Sequence, residues 1–102
     1  MAKFIFTYHQ PKGHVLASDE TTFAAWQKFF AGIEGNVVEM GQPVAERSSV
    51  GTVGDDTQLG GYSIVEATDL ESALVLAKGA PTIGNGGGVQ VGALAEVPAR
   101  RS

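Results

Sequence analysis

The segment from Lys3 to His9, KFIFTYH, carries apolar side chains at both of its alternating sets of positions, and no other stretch constrains the fold as strongly. Aromatic and β-branched residues favour extended backbone, and Pro11 and Gly13 close the run as turn formers. Side chains alternate across a strand, so Phe4, Phe6 and Tyr8 share one face while Ile5, Thr7 and His9 share the other. Both faces read as partly buried. One layer of helices covers only one of them, so the other face needs a cover of its own.

The remaining chain supplies further elements in a definite order. Asp19 is a helix N-cap and Glu20 suits a first turn. Phe23, Trp26, Phe30 and Ile33 then recur at three- and four-residue spacing, predicting an amphipathic helix that stops at Gly35. Asn36 to Met40 fits a short strand ending at Gly41 and Pro43. Arg47 to Val53 is a weaker extended segment, and Gly51 to Gly61, dominated by Gly, Asp and Thr, suits a hairpin connection or surface loop. Tyr62 to Ala67 is the clearest strand. Thr68 or Asp69 caps a second helix with Leu70, Ala73, Leu74 and Ala77 on one face, ending near Gly79 with Pro81 just beyond. Asn85 to Gly88 suits a flexible loop, and Val89 to Val97 a last strand with Val89, Val91 and Ala93 on one side.

Strand, helix, two strands, helix, strand is the order of an α+β, ferredoxin-like βαββαβ fold, a four-stranded antiparallel sheet with two helices on one face. A second copy packed on the open face predicts a homodimer, forming a dimeric α+β barrel through the commonest kind of symmetric contact.

Composition narrows the function classes. At 102 residues, with 43% hydrophobic and 18% charged, the chain suits one domain over 1–102 that folds without staples. Seven Lys and Arg against eleven Asp and Glu leave a net charge of -4, and the lone basic cluster, Arg100 and Arg101, is expected to be a solvated end. Nucleic acid is a poor partner for such a surface. Without Cys there are no disulfides, thiolate nucleophiles or Cys-based zinc sites. No stretch approaches the roughly 20 apolar residues of a membrane helix and the start lacks the run of a signal peptide, so a cytoplasmic location is expected and a membrane partner is not.

The stretch from Leu59 to Pro81, LGGYSIVEATDLESALVLAKGAP, followed by a Gly-rich loop and VQVGALAEV, resembles the C-terminal half of the YCII-related, or DGPF-type, bacterial family. Upstream, AWQKFFAGIEGNVVEMGQPV is similar to that family's aromatic-faced helix, Gly-rich exit and short strand. The resemblance spans nearly the whole chain and implies the dimeric α+β barrel. Its departures bear on chemistry. The tetrapeptide that names the family is absent from GDDTQLGGY, and the positions where one branch carries a His and an Asp read TTFAAW and KGAPTIG here. The resemblance therefore implies no acid–base pair in this chain.

Among single residues, His9 is the candidate acid or base, because it ends the first strand beside Tyr8 at the cleft between sheet and helix. His9, His14, Asp55 and Asp56 do not match metal-site spacing, and paired Asp in a Gly/Thr loop is ordinary turn chemistry, so no metal is expected. GNGGG at Gly84 to Gly88 lacks the Lys and following helix of a phosphate loop, and no cofactor is expected. Trp26 and Phe30 fit the core, while Phe29 falls off the main stripe and suits a pocket rim or dimer contact. Tyr8, Trp26, Phe29, Ser63 and Glu66 are the candidate ligand-binding residues, Glu66 and Ser63 lying on opposite faces of their strand. A small-molecule-binding domain is the leading expectation. The alternative is a small dimeric enzyme, a hydrolase, lyase or cofactor-independent monooxygenase, using His9.

Overall fold

A computed structural model describes residues 1–13, 20–54 and 56–95. The elements are β1 (Ala2–Pro11), α1 (Glu20–Ile33), a 3-10 turn (Glu34–Asn36), β2 (Val37–Glu39), β3 (Thr57–Ala67), α2 (Leu70–Ala77), α3 (Pro81–Gly84) and β4 (Gly88–Ala93). All strand pairs are antiparallel, in the order β2-β3-β1-β4. This is the expected ferredoxin-like arrangement. The expected helix cap Asp19, together with His14, Asp55, Arg100, Arg101 and the end of the expected last strand, lies outside the described residues.

β1 is central, which explains why both of its faces are apolar. Phe4, Phe6 and Tyr8 are buried beneath the helices with Val65 and Ala67 of β3. Burying a side chain of that size contributes about 1.5–3 kcal/mol, so this face anchors the fold. Ile5, Thr7 and His9 look the other way, beside Tyr62, Ile64 and Glu66, and all six are half-buried. Among the described residues no helix covers that face.

The helices sit on the sheet by two means. α2 presents Ala73 and Ala77, followed by Ala80, all buried, and these small side chains bring it close to β1, β3 and β4. Its inner face is thus turned from the expected one, since Leu70 and Leu74 are exposed. α1 instead stands on large rings. Phe29 and Ile33 are its buried residues, Trp26 and Phe30 flank them, and Phe23 is 64% exposed. The expected stripe through Phe23 is therefore rotated, because Phe29 joins Trp26 in packing on Tyr8 while Phe23 does not.

Three expectations about the connections change. β3 begins at Thr57, so much of the presumed Gly51 to Gly61 loop is strand. A bulge there pairs Tyr8 with Gly61 but His9 with Leu59, and Gly60 is the extra residue. Arg47 to Val53 forms no strand; the paired segment lies earlier, where Val44 N donates to Gly60 O at 3.0 Å and Arg47 Nε to Leu59 O at 2.8 Å. Gly41 makes this turn possible: its φ is 78°, and a Cβ would overlap the Tyr62 carbonyl oxygen. The expected loop from Asn85 to Gly88 is tied down. Gly87 N donates to Thr82 O at 2.9 Å, and a Cβ on Gly87 would overlap the His9 carbonyl oxygen.

Candidate functional site

Strand alternation sorts the candidate residues onto two surfaces. Tyr8 and Ser63 fall on the helix-covered face, and α1 lowers Trp26 and Phe29 onto them. His9 and Glu66 fall on the uncovered face. His9 thus does not share a cleft with Tyr8 and Trp26, because consecutive strand residues point to opposite sides.

The covered group is an aromatic cluster with one polar thread. Tyr8 packs edge-on to Trp26 at 4.9 Å and to Phe29 at 6.1 Å, while Trp26 stacks with Phe30 at 5.9 Å. Edge-to-face contacts of this kind add about 0.5–1.5 kcal/mol each beyond area. The Tyr8 hydroxyl donates to Ser63 Oγ at 3.0 Å, and Ser63 Oγ donates to Met40 O at 2.6 Å. Ser63 is fully buried, so this chain satisfies two groups that would otherwise be orphaned. Burial pushes the Tyr8 phenol up to about 12, against a smaller opposing effect of the Ser63 hydrogen bond. A phenol held so high is neutral near pH 7 and serves as a structural donor.

Phe29 links this cluster to an open groove of about 560 Å³ between α1 and α2. From α1 the groove takes Ala25, Lys28, Phe29, Gly32 and Ile33. Val75 and Leu76 of α2, with Gly79 and Pro81 beyond it, form the opposite wall. The groove is open rather than enclosed, and its lining is mostly apolar, with Lys28 as the charged exception. Of the candidate ligand-binding residues, Phe29 alone lines it. Lys28 and Gly32 carry no signal in the hydrophobic pattern and Gly79 reads there only as a helix end, although Ala25, Lys28, Phe29 and Gly32 follow the i, i+3, i+4, i+7 pattern of one helix face. The signal was masked because two of the four have no hydrophobic side chain.

On the uncovered face, His9 Nε2 and Thr7 Oγ1 share a hydrogen bond of 2.9 Å. Leu59 lies opposite His9 across β3, and Gly88 across β4. Among the described residues no group of three or more His, Cys, Asp or Glu is placed to hold a metal ion, and no helix is long and apolar enough to cross a membrane.

No family description and no curated protein sequence matches the chain. Among solved structures, the chain is similar to 5-chloro-2-hydroxyhydroquinone dehydrochlorinase (TftG) from Burkholderia phenoliruptrix AC1100, determined in complex with 2,5-dihydroxybenzoquinone. The TM-score is 0.62 at 14% identity, covering 96% of this chain and 99% of that one. At that identity the likeness establishes the fold alone, an α+β architecture with a four-stranded antiparallel sheet, over nearly the whole chain.

Proposed function

We propose that this chain is a small-molecule-binding domain that receives its ligand in the groove between α1 and α2. The observation that carries this reading is the groove itself: an open, mostly apolar groove of about 560 Å³, floored by Phe29 and backed by the Tyr8–Trp26–Phe29 cluster. The structural neighbour with the same fold was solved holding a small cyclic ligand, which supports a binding role. No acid–base pair belongs to this reading: the Tyr8 phenol behind the groove is hydrogen-bonded to Ser63, and Lys28 is the one charged residue in the lining. Chemical-shift mapping with a library of small aromatic compounds tests it. Perturbations should converge on residues 25–33 and 75–81; a set confined to Thr7, His9 and Tyr62 would refute it.

The uncovered sheet face supports a homodimer. Ile5 and Ile64 lie directly opposite each other there, with Tyr62 beside them. An apolar sheet centre of this kind favours cover by another protein surface, and a second copy supplies it. A small dimeric enzyme is the second reading, favoured by the Thr7–His9 hydrogen bond: a second copy over this face would enclose His9 as an acid or base. Loss of turnover of a hydroxyquinol-type substrate in His9→Ala, with the dimer intact, would support that reading over the first.

A further inference from the structure

We infer that the groove between α1 and α2 selects a small apolar monocarboxylate, with Lys28 as the charge partner of its carboxylate. This rests on the reading of the groove as a ligand site and adds the chemical class of ligand. Lys28 is the one charged residue in the lining, and everything else there is Ala, Gly, Pro, Val, Leu, Ile or Phe. Among the described residues no acidic partner neutralises its ammonium group, and the residue is exposed, so its four-carbon stem can lie along the apolar wall while the charged end stays at the mouth. A lone cation at the edge of an apolar channel complements a molecule with an apolar body and one anionic end. Neutral molecules gain only the apolar contacts, and dianions leave one charge uncompensated.

Gly32 and Gly79 give this ligand its room. A Cβ at Gly32 would meet nothing within 4 Å, and one at Gly79 would touch only the Phe29 ring, at 3.5 Å. Phe29, itself buried, forms the floor beneath this space, and Lys28 stands in the same lining.

Isothermal titration with benzoate, 1-naphthoate and octanoate, each beside its neutral primary amide, tests the inference on wild type, Lys28→Gln and Lys28→Arg. The wild type should bind at least one acid more tightly than its amide. Lys28→Gln should weaken the acid by roughly twofold to fivefold, as loss of one solvent-exposed ion pair does, and leave the amide unchanged, while Lys28→Arg restores most of the difference. Equal affinity for acid and amide, or an acid affinity indifferent to Lys28→Gln, overturns the charge role and leaves the groove as a neutral apolar site. Absence of binding by every acid and every amide overturns the groove reading as well.

Discussion

The Tyr8 hydroxyl and Ser63 Oγ meet at 3.0 Å beneath α1, and Ser63 passes the hydrogen bond on to the Met40 carbonyl. This pair ties β1 to β3 and to the end of β2 in a region otherwise filled by rings. Ser63→Ala leaves the Tyr8 hydroxyl buried without its acceptor, which costs about 1–3 kcal/mol. Tyr8→Phe removes the hydroxyl itself, and Ser63 keeps Met40, so about 0.5–1.5 kcal/mol is lost. Urea unfolding should rank Ser63→Ala as the more damaging change.

The same hydroxyl predicts an alkaline transition. Its folded-state pKa is raised from near 10 to about 12, so its contribution is complete below pH 10. As pH rises from 10 to 12 the unfolded chain ionises first and stability falls, by up to about 2–3 kcal/mol from this group. Tyr8→Phe should lack this component, so the stabilities of the two proteins should converge or cross over that interval.

Asp69 acts at the other end of the pH scale. Its carboxylate accepts from Ser72 N at 2.8 Å at the start of α2, and that hydrogen bond lowers its pKa. The stability it adds is present above the unfolded-state pKa and is lost as pH falls through the folded-state value. Asp69→Ala should therefore be less stable than wild type near pH 7, with the gap closing in acid; Asp69→Asn should retain a cap without that pH dependence.

Ile64, paired with Ile5 across the uncovered face, is the position to test for the homodimer. At micromolar concentration the wild type should run in solution near twice the 10.6 kDa chain mass. Ile64→Lys, half-exposed and off the helix-covered core, should keep its helical circular dichroism and run as a monomer. A monomeric wild type would contradict the proposed dimer.

The sequence made the frame of this fold legible through residues whose local and tertiary preferences agree. Phe4, Phe6 and Tyr8 alternate as a strand must, and Asp69 caps α2 as its side chain favours. Where small residues carry the structure, the pattern was silent. Gly60 and Gly61 look like a turn, yet they form a bulge inside β3. Phe23 and Phe29 are chemically equivalent on paper, and only contact with Tyr8 decides that Phe29 goes inward. Gly32 and Gly79 shape the groove by what they lack, which hydrophobic periodicity does not register.

Gly32→Leu offers the most direct measurement of the central claim. A Cβ at this position meets nothing within 4 Å, and replacing a helical Gly removes a penalty of about 0.5–1 kcal/mol. The variant should therefore melt no lower than wild type. With 1-naphthoate as the probe, titration calorimetry should show at least a tenfold loss of affinity in Gly32→Leu. An unchanged dissociation constant in the folded variant would contradict the placement of the ligand between α1 and α2.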